Sequence, residues 1–314
     1  MEIVIIGAGA IGCLFGALLA PHAKITLYTR QERLARLLRT RGIALQEMDG
    51  SQHHVRVQTI ANLDTAPLKS FDYALICTKA HASSDAGRIA QDLLRSDGLA
   101  LTVQNGLGNR ERIAEHVGME RCMVGITSQA ATLLEPGKVR HAGAGLTVIA
   151  PDGGQQRRQS FALVGLFNEA GIDTMVEDDP EALLWSKLIV NAAINALAAL
   201  LHVPNGVLAM EPGCRALMKK VVDEAVQVAR AENIHLFYAD QVDPFKHVLE
   251  VCAQTASNRA STLQDILHQA PTEVEVINGA IARIGAQHNI ATPVNTMLTK
   301  LVKAMEATAS QRVA

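Results

Sequence analysis

The sequence predicts an α/β domain built on a parallel sheet, followed by an all-helical domain. Two observations lead to this prediction. Up to about residue 178, short runs rich in β-branched residues alternate with helical patterns, which is typical of parallel strands joined by helices. After Pro180 helical patterns recur with no convincing strand between them. We therefore expect domains over residues 1–178 and 179–314.

The elements of the first domain are predicted in chain order. Strands are predicted over 2–6, 24–28, 55–60, 73–77, 99–103 and 172–176, and helices from the glycines after residue 6 to residue 19 and over 31–40, 84–94 and 161–170. The segments 137–141 and 146–149 predict two antiparallel strands around a glycine-rich turn, and the polar stretch 151–158 predicts a surface loop.

The second domain is predicted to begin in an acidic segment. Asp179 is a candidate helix cap, and Pro180 suits the first turn of the helix that follows. Further helical patterns are separated by proline and glycine. The predicted helices cover 182–201, 213–232, 241–256 and 273–288.

Composition argues against several classes of protein. The formal net charge is −2 and aromatic residues make up 3% of the 314, so a basic surface with base-stacking rings is not expected. The five cysteines contain no CxxC pair, which predicts neither a disulfide framework nor a metal site and fits a reducing compartment. We expect no nucleic-acid partner and no metal.

Two apolar stretches resemble membrane segments. Residues 3–21 follow Glu2 rather than a basic region and contain four glycines, and residues 188–201 are too short for the roughly 20 residues that span a bilayer. We therefore expect a soluble, cytoplasmic protein without a membrane partner.

A glycine fingerprint follows the first predicted strand and opens the first predicted helix. Gly7 permits a tight turn, Gly9 allows the backbone to approach a pyrophosphate, and Gly12 allows close packing of helix on strand. Ala10 and Ile11 lie where the helix N-terminus offers amide donors to an anion. The pattern predicts a Rossmann-type domain that binds a dinucleotide.

The ends of later strands indicate which dinucleotide binds. The second strand ends without the acidic residue that usually bonds the ribose of NAD, and Arg30 stands there instead, which suits the 2′-phosphate of NADP. Arg30 could equally be a solvated arginine that begins a basic helix. Lys79 and Asn105 follow two further strands and could contact the nicotinamide ribose or the substrate, or be ordinary loop residues.

A polar stripe on an apolar helix is the main indication of chemistry. Lys187, Asn191 and Asn195 are spaced i, i+4 and i+8, so they share one face of a helix that is otherwise apolar. They could bind a carboxylate or a keto oxygen. Partial burial would lower the pKa of Lys187 and suit it to general-acid catalysis. A structural polar ladder between packed helices is the alternative.

A third polar cluster follows nearer the C-terminus. Asn258 and Ser261 could bond a substrate carboxylate or hydroxyl, and Glu273 could accept a hydrogen bond from a hydroxyl. Alternatively, Glu273 is simply an acid in the first turn of a helix, where acids are favoured. The residues by themselves leave this choice open.

Taken together, these motifs resemble the ketopantoate reductase (2-dehydropantoate 2-reductase) family over residues 1 to about 298. The shared motifs are the glycine fingerprint, the TK and QNGLG strand ends, WSKLIVNAAIN, VPNG at 203–206, and STLQDI followed by TEVEVING. The resemblance implies NADPH-dependent reduction of 2-dehydropantoate to pantoate, on the way to pantothenate and coenzyme A. It also implies an active site in a cleft between the two domains.

The resemblance further implies a role for each matching residue. Lys187 would protonate the carbonyl oxygen, and Glu273 would orient the substrate, contact the cofactor and help set the protonation of the lysine. The binding residues would be Asn191 and Asn195 at the polar end of the substrate, Asn258 and Ser261 near its carboxylate, Asn105 between nicotinamide and substrate, Lys79 near the cofactor ribose, and Arg30 on the 2′-phosphate.

Other functions remain open at this point. A related reductase of another 2-keto or hydroxy acid fits the same motifs, and a dinucleotide-sensing protein without turnover fits the fingerprint. A small keto acid is the expected partner, and the helical half could also supply a homodimer face.

Overall fold

The structure, a computed structural model, describes residues 1–237 and 242–311. The chain divides into two compact units. The first consists of Met1–Gln104 with Gly108–Pro180, and the second of Glu181–Ala314 with the short segment Asn105–Leu107.

The first unit is an α/β unit. Its strands are β1 (Glu2–Ile6), β2 (Lys24–Tyr28), β3 (Ile43–Gln46), β4 (Gln52–Val55), β5 (Gln58–Ile60), β6 (Phe71–Ile76), β7 (Leu94–Thr102), β8 (Cys122–Thr127), β9 (Ala130–Glu135), β10 (Lys138–Gly143), β11 (Thr147–Ala150) and β12 (Thr174–Val176). Its helices are α1 (Ala10–Leu19), α2 (Glu32–Arg41), α3 (Ser83–Leu93), α4 (Asn109–Val117) and α5 (Gly154–Glu169).

An eight-stranded sheet in the order β12-β11-β8-β7-β6-β1-β2-β5 forms the centre of this unit. Its pairs are parallel except for β8 with β11. Along β1, Ile3 and Ile5 belong to the core that contains α1 and α5, whereas Val4 and Ile6 belong to the core that contains α3 and α4. Helices therefore cover both faces, as parallel sheets require, and the predicted fold class is confirmed.

A smaller sheet in the order β4-β3-β10-β9 corrects two strand predictions. The predicted strand 55–60 is two strands, because the chain leaves the small sheet after Val55 and joins the large sheet at Gln58. The strands predicted at 137–141 and 146–149 do not pair with each other. The first corresponds to β10, which pairs with β3 and β9, and the second to β11, which pairs with β8 and β12.

The polar stretch 151–158 was predicted as a loop, and this prediction is also wrong. Helix α5 begins at Gly154, so most of the stretch lies in its first turns. Four elements of the first unit have no counterpart among the predictions, namely β3, β8, β9 and α4.

In the described part of the second unit the regular elements are helices. They are α6 (Pro180–Leu201), α7 (Asn205–Met210), α8 (Pro212–Ala231), α9 (Pro244–Gln254), α10 (Ser261–Leu267), α11 (Asn278–Gln287) and α12 (Pro293–Ala307). Helix α6 begins at Pro180 as predicted. The helix predicted over 273–288 begins only at Asn278, and the predicted start of 241–256 lies partly outside the described residues.

Helix α6 is the central helix of this unit. Its side chains share one apolar core with α8, α9, α11 and α12. It is long and apolar enough to cross a membrane, with a mean hydropathy of 1.6, yet 78% of its most apolar stretch is buried inside the protein. Such burial is typical of the core helix of a soluble protein.

Candidate functional site

The glycine-rich loop connects the ends of three neighbouring strands. The main-chain nitrogen of Gly7 donates to Tyr28 O at the end of β2, at 3.0 Å. Gly7 has φ +112°, which favours glycine, and a Cβ at Gly12 would collide with Gly7 O and lie 3.3 Å from Cys77 Cβ. Two of the three fingerprint glycines are therefore required by the fold itself.

Gly9 differs from the other two glycines. It is exposed, and no heavy atom of the described residues lies within 4 Å of a Cβ built on it. It precedes Ala10 and Ile11 in the first turn of α1, which has no capping side-chain bond and no acidic residue. The amide groups there are compatible with an anionic ligand, so the loop fits the pyrophosphate of a dinucleotide.

Arg30 follows β2 and is largely exposed. Its Nη1 lies 3.0 Å from Asp85 Oδ2 in the first turn of α3. Lys79 is partly exposed and directly precedes the short turn that leads into α3. Two cationic side chains thus lie on segments that follow β2 and β6, and Arg30 forms an ion pair with Asp85.

In the second unit, the predicted polar stripe lies on α6. Lys187 and Asn191 are partly exposed, whereas Asn195 is buried. Burial lowers the pKa of Lys187 to about 8, and the nearby carboxylate of Glu273 acts in the opposite direction. A lysine with this pKa can release and regain a proton near neutral pH.

Glu273 is buried, with 7% of its surface exposed. Its Oε2 accepts a hydrogen bond from Asn105 Nδ2 at 3.2 Å. Glu273 lies in the turn before α11, so the interpretation of this residue as a first-turn helix acid is wrong. The segment that carries Asn105 is packed on the same turn, because Leu107 N donates to Val276 O at 3.0 Å.

A second pair of predicted residues connects α6 with α10. Asn195 Nδ2 lies 3.4 Å from Ser261 Oγ at the first residue of α10. Asn258 is linked through its main chain, since its carbonyl oxygen accepts from Asn205 N at 3.1 Å. Glu273 is thus hydrogen-bonded to Asn105 and acts electrostatically on Lys187, and Asn195 separately contacts Ser261.

Asn205 was not predicted as a site residue. It is buried at 8% exposure, its Nδ2 donates to Thr255 Oγ1 at 3.0 Å, and its Oδ1 has no hydrogen-bond partner among the described residues. A buried carbonyl oxygen without a partner is costly. The available signal was the VPNG segment, in which an asparagine follows a proline at the start of a helix.

The fold and the site together define the class of this protein. A parallel sheet with a dinucleotide-type glycine loop, joined to a helical unit that contains a lysine and a buried glutamate, is typical of Rossmann-type oxidoreductases.

Sequence relatives identify the family within this class. The family model described as "Ketopantoate reductase PanE/ApbA" matches residues 3–154, and the model of its C-terminal domain matches residues 179–306. The 2-dehydropantoate 2-reductase of Halobacterium salinarum is 34% identical over 305 residues, which cover 96% of this chain and 98% of that protein. The chain belongs to the ketopantoate reductase family.

Solved structures agree on the fold. A D-mandelate dehydrogenase in a ternary complex with NADH and anilino(oxo)acetate has a TM-score of 0.90 at 25% identity, covering 99% of this chain and all of that one. A PanE/ApbA family ketopantoate reductase from Ralstonia eutropha has a TM-score of 0.87 at 28% identity with the same coverage. The resemblance inferred from the motifs is thereby confirmed.

Proposed function

We propose that this protein catalyses the NADPH-dependent reduction of 2-dehydropantoate to pantoate in the cytoplasm, a step toward pantothenate and coenzyme A. The observation that carries the proposal is Lys187, whose pKa is lowered to about 8 and which interacts with a buried glutamate that accepts a hydrogen bond from Asn105. The curated relatives named 2-dehydropantoate 2-reductase support the choice of substrate.

Lys187 is the general acid in this mechanism. When bound, NADPH supplies the hydride that reduces the carbonyl carbon. The carbonyl oxygen gains negative charge during this step, and the ammonium of Lys187 stabilises that charge and donates the proton. Glu273 raises the pKa of Lys187 against the effect of burial, and therefore helps to keep the lysine protonated at pH 7.

The substrate is held by amide and hydroxyl groups. Asn191 and Asn195 share a face of α6 with Lys187, and Ser261 contacts Asn195. These groups can bond the carboxylate and hydroxyl of a small keto acid, and we assign Asn258 to the carboxylate side. Asn105 is assigned to the space between nicotinamide and substrate, where its contact with Glu273 fixes its orientation.

The cofactor is assigned to the first unit. Gly7, Gly9 and Gly12 form the loop for the pyrophosphate. We assign Arg30 to the 2′-phosphate and Lys79 to the ribose, which makes NADPH the preferred cofactor.

A panel of keto acids tests the substrate and the cofactor together. We expect oxidation of NADPH with 2-dehydropantoate and weak use of NADH. The likeness to a D-mandelate dehydrogenase supports a second candidate, the reduction of an aryl keto acid. Preference for such a substrate would overturn our choice, and binding of NADPH without turnover of any keto acid would favour a sensor.

Replacement of Lys187 tests the mechanism. We expect Lys187→Ala to lower kcat by about 10²–10⁴-fold, since both the proton donor and its charge are lost. Lys219→Ala is the matched control, because Lys219 is an exposed lysine of the same unit that pairs with Asp223. A change within a few-fold in Lys187→Ala would contradict the mechanism.

A further inference from the structure

A buried polar chain runs through the second unit, beginning at Glu224 of α8. The carboxylate of Glu224 accepts from Val294 N at 2.8 Å and from Asn295 N at 3.0 Å, at the start of α12. It also accepts from the side-chain Nδ2 of Asn295 at 2.7 Å. Glu224 is 9% exposed and Asn295 is fully buried, so the orientation of the Asn295 amide is fixed.

Asn278 continues this chain to α6. Its Nδ2 donates to Asn295 Oδ1 and to Ala192 O, both at 3.0 Å. Asn278 is 1% exposed, and its Oδ1 has no hydrogen-bond partner among the described residues. An apolar residue would avoid this desolvation cost, so packing alone does not account for an asparagine here.

The two ends of this link lie beside two groups assigned to the reaction. Ala192 follows Asn191 on α6, between Lys187 and Asn195. Asn278 directly follows the turn that carries Glu273, in which Glu273 O accepts from Val276 N and Ile277 N at 3.1 Å each. Asn278 thus joins the helix of the lysine to the turn of the glutamate.

We infer that Asn278, held in orientation by Asn295 and Glu224, is a positioning residue that fixes the turn of Glu273 against α6 and so sets the separation between Lys187 and Glu273. The inference rests on the proposed function, because that function gives the lysine–glutamate pair its role. It assigns no contact with substrate or cofactor to Asn278 itself.

The test measures the proton affinity of Lys187 directly. Competitive acetylation with acetic anhydride, followed by mass spectrometry, reports the pKa of this partly exposed amine without any turnover. In Asn278→Leu the turn loses its tie to α6 and Glu273 raises the lysine pKa less. We therefore expect the pKa of Lys187 to fall by about 0.5–1, a fraction of what a close opposite charge produces.

Two further variants separate positioning from loss of stability. Val302→Ala opens a cavity at a fully buried site of α12 but leaves the link intact, so the pKa of Lys187 should not move. Asn278→Ala breaks the same two hydrogen bonds but also leaves a cavity, so it should be less stable than Asn278→Leu, while the pKa of Lys187 falls by the same amount in both.

An unchanged pKa of Lys187 in both Asn278 variants would overturn the inference. An equal shift of the Lys187 pKa in Val302→Ala would overturn it as well. The alkaline limb of kcat with 2-dehydropantoate should move with the pKa in the same variants. If wild-type protein reduces no keto acid but the acetylation result holds, the proposed function fails and the positioning of Lys187 stands.

Discussion

Lys187 makes protein stability depend on pH in a way that can be measured by replacing it. Its pKa of about 8, against an ordinary value of 10.5, means that the folded chain releases this proton before the unfolded chain does. Below pH 8 both states hold the proton, and pH has no effect through this residue. Between pH 8 and 10.5 only the unfolded chain holds it, so the free energy of unfolding rises with pH.

The size of the effect follows from the pKa difference. A gap of about 2.5 in pKa, at about 1.4 kcal/mol for each unit, gives at most about 3–4 kcal/mol. This is an upper bound, since Lys187 keeps partial solvent exposure. Lys187→Met removes the titrating group and leaves a side chain of similar length. Wild type should therefore gain up to about 3 kcal/mol relative to Lys187→Met between pH 7.5 and 10.5.

Urea unfolding followed by circular dichroism measures this difference at several pH values. Other groups titrate in both proteins and cancel when the two are subtracted. Lys219→Met serves as the control for removal of an exposed lysine from the same unit. A difference between wild type and Lys187→Met that does not change with pH would refute a lowered pKa of Lys187.

Three further predictions concern catalysis and cofactor binding. The kcat should be constant below about pH 8 and fall above it as Lys187 loses its proton. In Glu273→Gln this alkaline fall in kcat should begin at lower pH, because the carboxylate that raises the lysine pKa is gone. Gly9→Ala should fold with an unchanged melting temperature, yet bind NADPH at least about tenfold more weakly in a fluorescence titration. Gly12→Ala should lose both thermal stability and NADPH binding, because its Cβ meets the main chain of the same loop. Arg30→Ala should raise the KM for NADPH by about 10–100-fold and leave the KM for NADH unchanged in steady-state assays.

Each of these has a clear contrary outcome. A limb that moves to higher pH in Glu273→Gln would mean that the carboxylate does not stabilise the ammonium. Normal NADPH binding by Gly9→Ala would show that the pyrophosphate does not bind at this loop. An equal rise in KM for NADPH and for NADH in Arg30→Ala would show that the arginine does not bind the 2′-phosphate.

Much of the first unit could be predicted because its strands are buried on both faces. The strands at 2–6 and 24–28 were predicted with the bounds that the structure shows, since short runs rich in β-branched and other apolar residues carry a local signal. The small sheet carries no such signal. Its strand β4 reads QHHV and is mostly exposed, and β3 pairs with β10 from a distant part of the chain. Pairing over such a separation is not encoded in a local pattern.

The candidate site, too, could be predicted from the sequence only in part. The stripe on α6 could be predicted because its spacing follows the helical period. The contact of Asn105 with Glu273 joins residues 168 positions apart, and no period relates them. Asn278 was missed because it lies inside an apolar segment, where its amide has no sequence neighbour to reveal a partner.

The segment Asn105–Leu107 has a consequence for how this protein can be taken apart. These three residues come from the middle of the first unit's sequence but fold with the second, and Gly106 approaches Val276 O so closely that a Cβ would not fit. A fragment that starts at residue 181 would lack the amide that binds Glu273. During synthesis, the QNGLG segment is complete well before the turn that receives it. Glu273 of the helical unit therefore receives its hydrogen bond from a segment that lies within the sheet unit's sequence. A chimera that exchanges either unit with that of a relative must include this tripeptide.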